Sequence, residues 1–228
     1  KALEPKLGEM LSEMLITMTD RGPDSAGIAI YGQNQNGRTK LTVQSEGGRA
    51  DYASLQNDLA KSLGSDLTVL ANDTHAVIDV AEDQTQELRA LLSDKHADIR
   101  VLSQGDSIEI YKEVGLPREV SERFHVASMA GSHGIGHTRM ATESAVTTDG
   151  AHPYSTGPDQ CLVHNGSLSN HNALRRKLTR NGIKIESDND TEVGAAYLTW
   201  KMSQGDSLGE ALESSLKDLD GFFTFVVG

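Results

Sequence analysis

Two short polar clusters in the second half of the chain contain the side chains best suited to chemistry. Residues 136–142 include Arg139, and residues 161–167 include the pair Asn165-Gly166. A guanidinium stays charged at working pH and can bind a carboxylate with two parallel hydrogen bonds. A side-chain amide beside a backbone N–H can stabilise the oxyanion that forms in acyl transfer, although Asn-Gly is also common in ordinary turns. The two clusters together predict a pocket for a small zwitterionic substrate.

Two further charged positions have both a functional and a structural interpretation. Asp190 follows a polar run at a predicted helix start, where it either binds an α-ammonium group or caps the helix. The residues alone favour the cap. Arg21 and Asp24 lie in a turn that contains glycine and proline, and composition favours a local ion pair between them. An arginine and an aspartate facing one pocket would bind both ends of a free α-amino acid.

Acyl transfer also needs a nucleophile, and none is convincing in this chain. Cys161 is the single cysteine, and its neighbours Leu162 and Val163 predict a packed strand-interior residue rather than a reactive thiol. Ser25 and Ser167, like Ser144, lack the surroundings of a nucleophile elbow. The residues therefore predict a binding pocket and an oxyanion hole without the attacking group.

Composition limits the classes of protein that this chain can represent. Its 228 residues are enough for one domain, or one domain with an insert, and the formal net charge of -12 argues against nucleic-acid binding. No apolar run approaches the length of a membrane span, so no membrane interaction is expected. A single cysteine makes no internal disulfide and holds no iron–sulfur cluster, and it indicates a cytoplasmic protein.

Hydrophobic periodicity predicts the elements that must position the two clusters. Residues 4–19 and the segments around 172–182, 190–200 and 208–219 have helical spacing, and residues 28–31, 135–139, 160–163 and 222–227 read as strands. A hairpin is predicted at Asn36-Gly37, which would pair the strand at 28–31 with one at 41–43. A brief strand is predicted at 183–185.

Residues 47–126 read as a small α+β insert without a chemical motif. Helices are predicted at 52–63, around 88–92 and from Pro117, with strands at 67–70 and 76–80 and a strand pair at 99–102 and 108–111. His75, His96 and His125 are scattered without ligand spacing, so no metal site is predicted.

Five short motifs, in this order, resemble those of class II glutamine amidotransferases, which are N-terminal-nucleophile hydrolases. The motifs are residues 21–27, 136–142, 151–153, 163–166 and 188–193. The resemblance covers residues 1 to about 46 and 128 to 228. The long insert and the methionine after Thr-Arg are most similar to glutamate-synthase-like stand-alone subunits, which include the amidotransferase-like subunit of N-methylglutamate synthase.

This resemblance implies an α+β fold, a four-layer α/β/β/α sandwich, and a defined reaction. An N-terminal cysteine attacks the glutamine amide with its own α-amino group as base, ammonia leaves, and water releases glutamate from the thioester. By motif, Arg139 would bind the substrate carboxylate and Asp190 its α-ammonium. Asn165 and Gly166 would form the oxyanion hole.

The chain also departs from the family pattern. The resemblance implies that Arg21 and Thr142 line or brace the pocket. The departures are at Met140, where many relatives carry tryptophan, and at Glu143-Ser144, where many carry His-Gly. The family opens with Cys-Gly-Ile-Val-Gly on a strand before the first helix. We therefore expect residues 1–228 to be one amidotransferase domain, incomplete at both ends, whose nucleophile lies on a strand before the first residue.

Two functional hypotheses follow from the resemblance. The first is a glutaminase subunit that passes ammonia to a glutamate-synthase-like or N-methylglutamate-synthase-like partner in a hetero-oligomer. That partner would carry FMN, with or without an iron–sulfur cluster, and no cofactor is expected in this chain. The second is a non-catalytic subunit of the same kind of complex that binds glutamine or supports assembly.

Overall fold

The computed structural model describes residues 2–33, 36–46, 48, 50–141 and 145–228. These residues form the helices α1 (Leu7–Thr17), α2 (Tyr52–Leu63), α3 (Thr85–Lys95), α4 (Pro117–Arg123), α5 (His171–Arg180), α6 (Asp190–Ser203) and α7 (Leu208–Asp218). They also form the strands β1 (Ser25–Tyr31), β2 (Arg38–Ser45), β3 (Thr68–Asn72), β4 (His75–Ala81), β5 (Ile99–Gly105), β6 (Ile108–Val114), β7 (His133–Arg139), β8 (Tyr154–Gly157), β9 (Gln160–Leu168) and β10 (Gly221–Val227).

The strands form three antiparallel sheets. The first sheet has the order β6-β1-β7, the second β10-β9-β8 and the third β3-β4-β2-β5.

The central strand of the first sheet, β1, is buried on both faces. Ala26 and Ile28 pack with Leu11 of α1, whereas Ala29 shares a cluster with Cys161 of β9. Successive side chains of a strand point to opposite faces, so one face of the first sheet meets helices and the other meets the second sheet. This two-sided burial explains why the sequence of β1 is almost continuously apolar.

The second sheet repeats the arrangement on its other side. Leu162 and Leu168 of β9 pack with Val193 and Tyr197 of α6, while Cys161 faces the first sheet. The layers are therefore helices α1 and α4, the first sheet, the second sheet, and helices α5 to α7. This architecture confirms the predicted four-layer α+β sandwich.

The predicted hairpin at Asn36-Gly37 is wrong, because β1 and β2 belong to different sheets. Both edges of β1 are occupied by β6 and β7, so no edge remains for β2. Leu41 and Val43 of β2 instead pack under α2 and α3, in the core of the third sheet.

The predicted strand pair between β5 and β6 is also wrong. β5 pairs with β2 in the third sheet, and β6 pairs with β1 in the first. Tyr111 of β6 and Val120 of α4 share a core cluster with α1. The domain division with an insert at about 47–126 stays a prediction. Residues 183–185 form no strand, and Ile183 and Ile185 pack against the helices of the second sheet.

We expect Phe124→Ala to lower the free energy of unfolding by about 3–5 kcal/mol. Phe124 is fully buried, with ring centroids 4.6 Å from His75 and 5.5 Å from Tyr111, so truncation leaves a cavity. Urea denaturation followed by circular dichroism measures the loss. Phe222→Ala is the matched control, because that ring is 82% exposed and its removal should change stability by less than about 0.5 kcal/mol. Equal losses in the two variants would contradict the assigned core.

Candidate functional site

A cleft of about 290 Å³ opens where β7, β9 and the start of α6 converge. Its lining includes the predicted residues Arg21, Arg139, Asn165, Gly166 and Asp190. The sixth predicted residue, Thr142, lies outside the residues that the structure describes. The fold therefore brings together positions that are up to 169 residues apart in the printed numbering.

Arg139 is the last residue of β7 and is held by the turn that precedes β1. The backbone N–H of Asp24 donates to the Arg139 carbonyl at 3.0 Å, and the Asp24 carboxylate accepts the Ala141 N–H at 2.8 Å. A side chain at Gly22 would lie 2.4 Å from the Thr138 carbonyl carbon, so this close approach requires glycine. The turn fixes the direction in which the Arg139 backbone leaves the sheet.

The predicted ion pair between Arg21 and Asp24 is wrong for this structure, in which both residues are described. Asp24 is engaged by the backbone of Ala141, and Arg21 is exposed at the cleft. A carboxylate that accepts a backbone N–H stabilises the turn directly, whereas an exposed ion pair contributes little. Arg21 is therefore a second cation beside Arg139.

The loop at residues 145–153 forms the wall behind the Arg139 guanidinium. Arg139, whose residue is only 9% exposed, donates from Nη1 to the Ala145 carbonyl at 3.5 Å. A Cβ at Gly150 would lie 3.2 Å from the same Nη1, so the loop passes very close to the charge. This wall limits where the guanidinium can point.

Asn165 and Gly166 lie within β9, which continues to Leu168, although the sequence predicted that the strand ends near them. Cys161 and Gly228 exchange backbone hydrogen bonds of 2.9 and 3.1 Å, and Ser169 donates to Asp220 at 2.7 Å. Bonded and non-bonded pairs alternate along an antiparallel ladder. The odd-numbered residues of β9 are therefore bonded to β10, and the Gly166 N–H points away from β10.

The Gly166 N–H points towards the edge of β9 that pairs with β8. The pairing of β8 with β9 ends at Leu162, so β8 does not cover Gly166. Gly166 has φ +138°, and a Cβ there would lie 2.0 Å from the Phe222 carbonyl oxygen. Only glycine fits this position. The exposed Asn165 amide lines the same cleft, so an amide donor and a backbone donor are adjacent, as an oxyanion hole requires.

Asp190 is the first residue of α6, but it does not make the capping hydrogen bond. Asn189 is the N-cap, and its side chain accepts the Thr191 N–H at 2.8 Å. The Asp190 carboxylate instead accepts the Leu168 N–H at 2.8 Å, which ties the start of α6 to β9. Its side chain stays 23% exposed at the cleft.

The floor of the cleft is formed by the half-buried His137 and the buried His152 and His164, all of which the sequence interpretation missed. The rings of His137 and His152 lie 4.2 Å apart, and His164 Nδ1 is 2.9 Å from the Thr191 hydroxyl. Burial lowers the pKa of His137 to about 4, lowers the pKa of His152 well below its usual value, and also lowers the pKa of His164. At neutral pH the floor is therefore uncharged.

Each of these histidines lies inside a motif that the sequence had singled out, but none has ligand spacing. Among the described residues, no group of three His, Cys, Asp or Glu side chains is arranged to hold a metal ion. Their positions in the sequence, near Arg139, Pro153 and Asn165, were the available signal. Only the fold brings the three imidazole rings to one cleft.

The loop wall is itself held by groups that sequence reasoning also missed. Lys112 donates to the carbonyls of Ala151 at 2.8 Å and Asp149 at 3.3 Å. The Tyr154 hydroxyl donates to the Asp149 carbonyl at 2.6 Å, and Asn189 donates to the Gly150 carbonyl at 2.9 Å. Lys112 is almost fully buried, and burial lowers its pKa to about 7.

Cys161 is packed between the two central sheets. It is fully buried, and its Sγ accepts a hydrogen bond from the Tyr31 hydroxyl at 3.5 Å. Burial raises the pKa of the thiol to about 11, so the nucleophilic thiolate is disfavoured at neutral pH. This confirms the interpretation of Cys161 as a packed residue.

Comparisons with known proteins show what this chain is similar to. A model of the family described as glutamine amidotransferase domain matches residues 137–228. The chain is 62% identical over 226 residues to the glutamine amidotransferase-like protein GlxB of Rhizobium meliloti, covering 99% of this chain and 75% of that protein. It is 36% identical over 232 residues to a putative glutamine amidotransferase of Methanothermobacter thermautotrophicus, covering 97% of this chain and 76% of that protein.

A solved structure described as the allosteric regulatory enzyme of purine biosynthesis has a similar fold. The TM-score is 0.58 at 18% identity, and the match covers 99% of this chain and 33% of that one. The two proteins thus share an α+β sandwich fold. The chain belongs to the family of class II glutamine amidotransferases. No helix of the described residues has the length and apolar character needed to cross a membrane.

We expect the free energy of unfolding to fall as the pH drops from 6.5 towards 4. His137 has a folded pKa of about 4, below the unfolded value of about 6.5, so the unfolded chain binds its proton first. Between those values each such histidine costs up to about 1.4 kcal/mol per pH unit. Urea denaturation at pH 7, 6 and 5 measures this slope. His137→Gln should flatten it, and a slope identical to that of the unsubstituted protein would contradict the buried neutral state.

Proposed function

We propose that this protein is the glutaminase subunit of a larger synthase, and that the cleft at Arg139 holds glutamine. The observation that carries the proposal is the placement of a cation, an anion and two oxyanion donors around one cleft of about 290 Å³. Glutamine carries a carboxylate, an ammonium and an amide, and the cleft offers one complementary group for each.

In the proposed pose the α-carboxylate pairs with Arg139 and the α-ammonium with Asp190. The side-chain amide then reaches Asn165 and Gly166. Arg139 is nearly buried, and charge-assisted hydrogen bonds strengthen where water is excluded. The neutral histidine floor adds no charge that would compete with Arg139 for the carboxylate.

The chemistry proposed for this pose is acyl transfer. A cysteine thiolate attacks the amide carbon, and the carbonyl oxygen gains a negative charge that the Asn165 amide and the Gly166 N–H stabilise. The amide nitrogen takes a proton and leaves as ammonia. Water then hydrolyses the thioester to glutamate. Because Cys161 is buried and protonated, we assign the attacking thiol to the N-terminal cysteine that the family resemblance implies.

We further propose that the ammonia is used by a glutamate-synthase-like or N-methylglutamate-synthase-like partner in a cytoplasmic hetero-oligomer, and that this partner carries FMN, with or without an iron–sulfur cluster. Support comes from the long segment at 47–126 and from Met140, because these two features are most similar to glutamate-synthase-like stand-alone subunits. The test is isolation of the complex from its natural source, with identification of the partner subunits and their chromophores. Isolation of this chain without a synthase subunit would contradict the proposal.

Glutaminase activity separates this proposal from that of a non-catalytic subunit. An electrophilic glutamine analogue should label the full-length protein once per chain, and free glutamine should protect it. Binding of glutamine without labelling or turnover would support the non-catalytic alternative.

We expect Asn165→Ala to lower kcat for glutamine hydrolysis by about 10²–10³-fold with a small change in KM, because the amide acts on the oxyanion. Steady-state release of glutamate measures both constants. Asn181→Ala is the matched control, since that side chain bonds only to the exposed end of α5 in the described structure. An increase in KM at unchanged kcat would contradict the oxyanion role.

We expect Arg139→Met to lower kcat/KM for glutamine by at least about 100-fold, because two hydrogen bonds to a charged group are lost. Synthesis supplied with free amine in place of glutamine should be retained in the assembled complex. Arg118→Met removes an exposed arginine, 4.0 Å from Glu122, and should change neither activity. Equal loss of the glutamine-dependent and amine-dependent activities would argue against a carboxylate-binding role.

A further inference from the structure

A second cavity of about 370 Å³ lies on the other side of the loop wall from the glutamine cleft. It is bounded by β5 of the third sheet, by β8 and by α6, and its lining includes Arg100, Asp149 and Glu186. The third sheet contributes no residue to the lining of the glutamine cleft. This second cavity is where the third sheet meets the segments that build the cleft.

Arg100 of β5 contacts carboxylates from three separate segments. Its Nη2 donates to the Glu46 carboxylate at 2.6 Å, its Nε lies 2.8 Å from a Glu186 carboxylate oxygen, and its Nη1 contacts Asp149. The Arg100 side chain is 18% exposed, so this network is partly shielded from solvent. The three carboxylates repel one another, and the positive charge of the guanidinium offsets this repulsion.

Two of these carboxylates belong to the segments that carry the two ends of the cleft. Asp149 is part of the loop wall behind Arg139. Glu186 lies in the segment that enters α6, and its backbone N–H donates to Glu192 at 2.8 Å within that helix. Asp190, which faces the cleft, lies between Glu186 and Glu192 in the sequence. One guanidinium therefore touches both the Arg139 side and the Asp190 side.

Other charged groups in this cavity do not make the same connection. Lys112 bonds to backbone carbonyls of the loop wall, and Lys184 contacts Glu186 with an exposed ammonium. Arg89 of α3 donates to the Gln104 amide at 3.3 Å, within the third sheet and its helices. Arg100 is distinguished by joining the third sheet to both sides of the cleft.

We propose that Arg100 is a positioning residue through which the third sheet sets the spacing between Arg139 and Asp190, and thereby the affinity for glutamine. This inference rests on the proposed function. It gives the third sheet a role in substrate binding without contact between the sheet and the substrate. Removing the cation leaves Glu46, Asp149 and Glu186 to repel one another, which moves the two sides of the cleft apart.

The test is titration calorimetry of the full-length protein with L-glutamine. We expect Arg100→Met to weaken binding by about tenfold or more, with kcat at saturating glutamine changed less than about twofold. Arg89→Met is the matched control, because it removes a guanidinium from the same cavity without touching either side of the cleft. Its dissociation constant should stay within about twofold of the unsubstituted value.

Two shorter probes distinguish positioning from general damage. Glutaramate lacks the α-ammonium and 4-aminobutanamide lacks the carboxylate, so each uses one end of the cleft. A spacing role predicts that Arg100→Met weakens glutamine binding by a larger factor than it weakens binding of either probe. Equal factors for all three ligands would overturn the inference.

Two isosteric variants that each remove one carboxylate keep the inference falsifiable if Arg100→Met folds poorly, because each should weaken glutamine binding by itself and unchanged binding in both would overturn the inference. Asp149→Asn and Glu186→Gln remove one carboxylate each, and each should weaken glutamine binding less in the Arg100→Met background than alone. Additive effects would overturn the inference. If the unsubstituted protein does not bind glutamine, the proposed function fails; if it binds and folded Arg100→Met binds equally well, only the role of Arg100 fails.

Discussion

The hydrogen bond from the Asn189 side chain to the Gly150 carbonyl joins the two halves of the site. Gly150 lies in the loop wall that approaches the Arg139 guanidinium, and Asn189 is the N-cap of the helix that begins with Asp190. Arg139 ends a strand of the first sheet, whereas Asp190 belongs to the outer helical layer. Together with the contacts of Arg100 to Asp149 and Glu186, this bond couples the positions of two charged groups that belong to separate layers of the sandwich.

Buried polar groups around the cleft follow one physical rule: each charge that is kept has partners, and the other ionisable groups are neutral. Lys112 is surrounded by carbonyl oxygens and lies 4.1 Å from the centre of the Tyr154 ring. His137 and His152 are driven to the neutral form by burial. A buried charge without partners would be far more costly than either arrangement. The result is a cleft whose field comes from Arg139, Arg21 and Asp190.

Much of the fold could be predicted from local pattern, and the two errors in strand pairing have one cause. Helical spacing located α1, α6 and α7, because an apolar stripe depends only on neighbouring residues. Both predicted strand pairs failed, at β1 with β2 and at β5 with β6. Asn36-Gly37, before β2, and Gln104-Gly105-Asp106, between β5 and β6, are good turn signals. A turn does not determine which sheet the next strand joins. That choice depends on β1, whose edges are taken by β6 and β7.

The sequence by itself determined which residue types were available for a glutamine site: a permanent cation at Arg139, an amide beside a glycine at Asn165-Gly166, and an acid at a helix start. The order of the five motifs was enough to indicate the family, because each motif is a run of neighbouring residues that can be recognised without knowing the fold. Only the tertiary structure decided that these residues share one cleft and that the Gly166 N–H points away from β10. Those facts depend on strand register and layer packing between distant segments, which no local pattern encodes.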